Sequence, residues 1–239
     1  ILGTVAFGLQ IYCDFMGYSL IAKGAAHFFG ISLSWNFNLP YWSKSPQEFW
    51  RRWHITLSTW IRDYLYFPLG GSKGGTWRTC FNLLTTMSLA GLWHGASWNF
   101  VIWGCWHGIF LVLHRFWSKY ITEKLVDFRI YQFFSWLFTM LVVFCGWYFF
   151  RLNASGLIVS MQTSFQHWDY FPVHWLLLRA IVLVSAFLYI FERPLFMRSS
   201  PMPFGGMSYR KKTVVLGIMV FFTMMLYDVK QVPFIYFQF

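Results

Sequence analysis

Charge is scarce in this sequence, and acid scarcest of all. Asp and Glu number 8 among 239 residues and all charged residues make up 11%, against about 25% in an ordinary soluble domain. So few charges do not furnish a water-facing surface. Cys13, Cys80, Cys105 and Cys145 form no CxxC pair, and each lies in or beside an apolar stretch; they read as small core hydrophobes, not as a disulfide framework or a thiolate metal site. No His and Cys ligand pair has a recognised zinc spacing, so no metal is expected. No GxSxG elbow is present, and Asp14, Glu48 and Asp63 are the only carboxylates before residue 94, which argues against a serine triad. Gly70 to Gly75 reads GGSKGG and lacks the spacing of a nucleotide-binding P-loop. Neither an RNA- nor a DNA-binding motif occurs, so the formal charge of +11 does not point to nucleic acid.

What the chain has in abundance is apolar and aromatic side chains, 57% and 24% of residues, with 15 Trp and 29 Phe. Helices that face lipid and set aromatic rings near the headgroups account for such a composition. A crossing needs about 20 apolar residues at 1.5 Å each. Ile130–Phe150 supplies 21 without a formal charge, and Cys80–His114 is a 35-residue uncharged run. The latter is too long for one crossing, and Gly91 and Gly95 offer a break near its middle. The expectation is an all-α, polytopic helical bundle in the membrane, with spans near 1–31, 80–93, 95–114, 130–150, 172–191 and 213–227. The first is interrupted by Asp14 and Lys23. Because the chain opens on Ile1 inside an apolar run, it reads as the C-terminal part of one domain, truncated at its N-terminus.

Basic residues cluster in 41–79, 115–129 and 192–212, whereas Arg151–Phe171 holds one. Short cytoplasmic loops retain Lys and Arg, so the first three segments are expected inside and the fourth outside, consistent with the span order. The 41–79 segment is expected at the cytoplasmic interface. Within it, Ser45, Pro46 and Glu48 supply an N-cap, a first-turn proline and a favourable charge for a helix start. Trp50, Trp53, Leu57, Trp60 and Ile61 recur at helical spacing, predicting one amphipathic helix along the interface. Arg51, Arg52 and Arg62 on its other side suit anionic lipid or a phosphate.

His94 stands at the centre of the longest uncharged run, in LWHGASWN. An ionisable ring at membrane depth is a functional candidate by default. As a general base it would take the proton of a hydroxyl attacking a thioester; the competing reading is a hydrogen-bonded structural histidine. His54, after Arg51-Arg52-Trp53, would assist if its segment folds against the end of the span carrying His94. His107 falls on another helix face and reads as structural. Asp14 reads as buried and paired, or as one end of a proton relay with His94 in a transporter. Arg51, Arg52, Lys73, Trp93 and Asn99 are the candidate contacts for substrate and donor.

Five stretches together resemble the membrane-bound O-acyltransferase family, in its alginate and peptidoglycan O-acetyltransferase branch. They are QIYCDFMGYS (10–19), NFNLPY (36–41), EFWRRWHITLSTWIRDYLYFPLGG (48–71), LWHGASWNFVIWGCWHG (92–108) and PFIYFQF (233–239). The resemblance implies a helical bundle with a tunnel through the bacterial cytoplasmic membrane. It makes His94 the catalytic histidine and His54 a second functional position. It implies an acetyl-CoA or acyl-carrier-protein thioester as donor, no bound cofactor, a cell-wall or exopolysaccharide acceptor, and a separate periplasmic O-acetyltransferase as partner. Leu20 and Leu39 depart from the family's usual residues, which bears on the acceptor and not on the reaction.

Overall fold

The structure is a computed structural model that describes residues 2–120, 127–151 and 178–186, together with single positions and short runs between 175 and 217. The chain divides into two compact units, Ile1–Leu183 and Val184–Phe239, and the elements below belong to the first. The described residues of that unit are all-α: α1 (Leu2–Phe28), α2 (Pro46–Arg52), α3 (Ile55–Ile61), α4 (Gly75–Trp93), α5 (Trp98–Trp117) and α6 (Arg129–Arg151). Of the expected span 172–191, residues 175, 178–186 and 188 are described and helical, whereas 213–227 falls largely outside the described residues.

Helix α1 runs unbroken through Asp14 and Lys23, so neither charge interrupts it. Asp14 is half-buried. Lys23 turns its amine to the Leu33 carbonyl and lies 4.9 Å from the Trp35 ring centroid, the behaviour of a long basic side chain reaching out of an apolar surface. The buried face of α1 includes Phe7, Gly8, Ile11, Tyr12, Phe15 and Met16, spaced three to four apart as a helix face requires. It packs on α6.

Helices α4 and α5 form the tightest pair in the fold. A Cβ on Gly104 would lie 2.2 Å from the Met87 carbonyl oxygen, and one on Gly91 would lie 2.1 Å from that of Phe100. Backbones approach this closely only where side chains are missing. Gly91 is therefore a packing residue inside α4, and of the two glycines it is Gly95 that lies in the break, at His94–Ser97. There a Cβ on Gly95 would lie 2.7 Å from the Phe100 ring.

Among the described residues two helices are long and apolar enough to cross a membrane, α1 and α6, with mean hydropathies of 1.3 and 1.8. Helices α4 and α5 have 19 and 20 residues but fall short of the same measure. Arg78, Asn82, Thr85, Thr86 and Ser88 dilute α4, and Asn99, His107 and His114 dilute α5. Their polar groups turn largely inward: Asn82, Thr86, Asn99 and His107 are all buried.

The segment expected to lie as one helix along the interface is instead folded into the bundle as a hairpin. Helix α2 starts as its sequence predicts: the Glu48 N–H donates to Ser45 Oγ at 3.1 Å, and the Lys44 N–H donates to the Glu48 carboxylate at 2.6 Å, close to a capping box. It ends after 7 residues, about two turns. Trp53 is extended and His54 takes a left-handed conformation, φ 42° and ψ 55°. The passing chain Asn36–Asn38 satisfies the backbone groups freed by the break. Asn38 N–H donates to the Arg52 carbonyl at 3.0 Å, and Ile55 N–H donates to the Asn36 carbonyl at 2.8 Å. Helix α3 then leads away in a new direction, so the single apolar face of the sequence is divided: Trp53 is 2% exposed and Trp60 49%.

Candidate functional site

The hairpin carries His54 to the depth of the α4–α5 turn. Lys44 and Pro46 stand beside the last turns of α5. One turn further along α2, Trp50 packs edge-on to Trp103 (5.7 Å between centroids) and to His107 (5.1 Å). Phe49 and Trp53 complete the contact, stacking with His107 at 6.2 Å and packing on Trp147 at 4.9 Å. At the apex, His54 sits edge-on to Phe15 of α1 at 4.6 Å and within electrostatic reach of His94. Two histidines 40 positions apart thus come within electrostatic reach, one at a break between helices and one on a helix end.

His94 terminates α4, its N–H bonded to the Gly91 carbonyl at 3.0 Å. Its ring is enclosed by Trp93, Trp103 and Phe150, each at 5.1 Å, and by Phe100 at 6.3 Å. Three helices contribute these rings. Asn99, 6% exposed, ties two of them together by donating its amide to the Phe150 carbonyl at 3.3 Å. The aromatic walls crowd the ring on several sides, while His94 itself keeps intermediate exposure.

His54 lies outside the spanning helices, and burial first, the nearby His94 second, push its pKa down to about 3. It is therefore neutral at physiological pH, with one ring nitrogen able to accept a proton. Thr56 fixes which one. Thr56 donates its hydroxyl hydrogen to Asn36 Oδ1 at 2.6 Å and presents a lone pair to His54 Nδ1 at 3.5 Å. This favours Nδ1–H and leaves Nε2 as the acceptor. Asn36 is held in turn by its amide bond to Ser19 Oγ at 3.2 Å. Ser19, Asn36 and Thr56 were not among the candidates drawn from the sequence, although all three fall within the stretches that carry the family resemblance.

The remaining candidates separate. Trp93 and Asn99 belong to the His94 surroundings. Arg52 is engaged with Glu48 at 2.6 Å across one helical turn, and Arg51 is exposed. Lys73 is exposed in the loop before α4. With α4 rising about 1.5 Å per residue, Lys73 stands roughly 28 Å along the helix from His94, so the structure does not bring it to the histidines. Further out on the hairpin, the exposed Arg62 and Asp63 pair at 2.7 Å, which holds the Asp63 carboxyl below its ordinary range. Among the described residues, no three His, Cys, Asp or Glu side chains gather to hold a metal.

The left-handed backbone at His54 makes a testable mark. An L-residue with a Cβ costs about 1–2 kcal/mol in this region, and glycine is spared it. Of two variants that both remove the imidazole, His54→Gly is expected to be more stable than His54→Ala by about 1 kcal/mol. Thermal unfolding of the two in detergent compares them directly, and a more stable Ala variant would mean that the apex is not left-handed.

Residues 1–153, including every element of this site, match the membrane-bound O-acyltransferase family. The chain belongs to that family. It is 45% identical over 170 residues to "Probable alginate O-acetylase AlgI" of Azotobacter vinelandii, covering 70% of this chain and 33% of the relative. It is 43% identical to the peptidoglycan O-acetyltransferase of Helicobacter pylori, over 62% of this chain and 28% of the relative. With the teichoic acid D-alanyltransferase of Bacillus subtilis it shares 31% identity, over 48% and 31% of the two chains. The chain thus spans about a third of the length of these members of the membrane-bound O-acyltransferase family.

Proposed function

We propose that this membrane-bound O-acyltransferase chain serves an O-acetyltransferase of the bacterial cytoplasmic membrane. The enzyme takes acetyl from a cytoplasmic thioester and passes it through the membrane for attachment to an exopolysaccharide or cell-wall polymer. The observation that carries this reading is that His54 and His94 stand within electrostatic reach of each other, with His94 set among the rings of Trp93, Trp103 and Phe150, on stretches that carry the family resemblance. The names of the relatives supply the acceptor classes, alginate and peptidoglycan. The D-alanyltransferases among the relatives show that the family also includes enzymes named for an acyl group other than acetyl.

In the proposed step, the His94 imidazole takes the proton of an acceptor hydroxyl as its oxygen attacks the thioester carbonyl. The carbon–sulfur bond breaks, the thiolate leaves, and the proton returns to it from the imidazolium. General-base assistance of this kind contributes about 10²- to 10⁴-fold. His54, held neutral by burial, is suited to receive or relay a proton within electrostatic reach of His94. The acetyl donor is acetyl-CoA or an acyl carrier protein, both of which present the same phosphopantetheine thioester. A separate periplasmic O-acetyltransferase receives the group for final attachment to the polymer.

Proteoliposomes of the intact protein, supplied with acetyl-labelled CoA or carrier protein on the basic-loop side, test this directly. The expected result is thioester consumption that requires an acceptor hydroxyl and is lost in His94→Ala. Proton-coupled solute flux without thioester turnover would support the alternative in which His94 and Asp14 relay protons in a transporter or flippase.

A further inference from the structure

A cavity of about 670 Å³ opens between the last turns of α5 and the first turns of α6, with Lys44 and Pro46 at its rim. Its walls are largely apolar: Phe110, Leu113, Phe116 and Trp117 from α5, Phe134 and Phe138 from α6. None of these residues takes part in the histidine site. At 1.5 Å per residue, Phe110 lies about 10 Å further along α5 than Trp103, the ring that packs on His94.

Three features at the open end identify an occupant. None of the lining residues is acidic, and Lys44 and His114 are among them. The Lys119 ammonium lies 5.7 Å from the ring centroid of Phe116, itself a wall residue, and Arg51 is within electrostatic reach of His114. Trp117, Tyr120 and Tyr131 line the same end, where amphipathic rings mark the headgroup level of a bilayer. An apolar trough ending in cations and aromatic rings is complementary to an amphiphile with an anionic head. A phosphopantetheine arm, with amides along its length, would find few partners on these walls.

We propose that this groove binds one anionic phospholipid, an acyl chain lying between α5 and α6 and the phosphate beside Lys44 and Lys119. The bound lipid fills the space between two helices whose other ends carry Phe100, Trp103 and Phe150 around His94, and so belongs to the bundle that holds the site. Basic residues near a membrane surface attract anionic lipid by ~1 kcal/mol each, or about fivefold in occupancy.

The test reconstitutes the intact protein in vesicles of equal phosphatidylglycerol and phosphatidylcholine. A trace of either lipid carries a photoreactive acyl chain, and adducts are mapped by mass spectrometry. With two cations, the groove residues are expected to label about 25-fold more strongly with the phosphatidylglycerol probe, while the exposed Leu141 in the uncharged middle of α6 labels equally with both. Lys44→Gln is expected to lower the groove preference about fivefold without reducing labelling by the neutral probe. Leu113→Trp, which fills the trough, is expected to reduce labelling by both probes there and leave the Leu141 reference unchanged. Equal labelling of groove and Leu141 by both probes in the wild type would overturn the proposal in favour of ordinary annular lipid. Cross-links from the groove to another segment of the same chain would overturn it in favour of an internal plug.

Discussion

Cells carrying His94→Ala are expected to lose acetyl esters from the polymer that the wild-type protein modifies, with transfer down by about 10²- to 10⁴-fold if the imidazole acts as general base. Acetyl content of cell wall and exported polysaccharide, compared with membrane levels matched by immunoblot, reads this out. Matching matters because the ring also packs on Trp93, Trp103 and Phe150, so its removal has a packing cost of its own. Loss of ester with the protein retained would name both the residue and the polymer. Unchanged acetylation in every polymer would remove the acetyltransferase reading and leave transport or scaffolding.

The second large effect is expected at a residue with no chemistry. Gly104→Val would place a Cβ 2.2 Å from the Met87 carbonyl oxygen and 3.0 Å from its carbon. The obstacle is main chain, which has no rotamer to yield, so α4 and α5 would have to separate. That separation would also displace the turn that presents His94. Overpacking commonly costs 1–3 kcal/mol even where side chains can adjust, so at least about 3 kcal/mol is expected here. Intact Gly104→Val protein should therefore fail to accumulate in membranes. Gly17→Ala is the control: no heavy atom lies within 4 Å of the added Cβ in the middle of α1, and alanine is favoured over glycine in a helix by about 1 kcal/mol. Equal abundance of Gly104→Val and wild type would show that the helices are not so close.

Local signals in the sequence were reliable where the structure depends on local bonds. Ser45, Pro46 and Glu48 mark the start of α2 because the cap is made within four residues. Gly95 marks the turn after α4 because the chain must pass against Phe100. The end of α2 carries no such mark. Neither glycine nor proline stands near His54, and the helical spacing from Trp50 to Ile61 continues straight across the break. That break is imposed from outside, by the two backbone bonds from Asn36 and Asn38, and nothing within the helix announces it. For the same reason the sequence could make His54 an assistant to His94 only on the condition that its segment folds against that span, and the family resemblance added that it is a second functional position. The absence of formal charge said less than it suggested about α4 and α5. An uncharged run reads as lipid-facing, whereas Asn82, Thr86, Asn99 and His107 are placed inward where the helices meet.

The break at His54 is tied at the level of the main chain: the Asn38 N–H, the Asn36 carbonyl and their partners at Arg52 and Ile55. These two bonds do not read side chains. Substitutions at 36 and 38 can alter what surrounds His54, including the Asn36 amide that accepts from Thr56, while leaving both backbone bonds in place. Phe37 between them is different, because it is fully buried against Tyr12, Phe15 and Trp53. Proline at 38 is also excluded, because it has no N–H to give. Insertions or deletions between 38 and 52 fall under the same restriction, since they shift the register of the two bonds. The segment can therefore change in chemistry at its two flanking positions while its centre and its length are held.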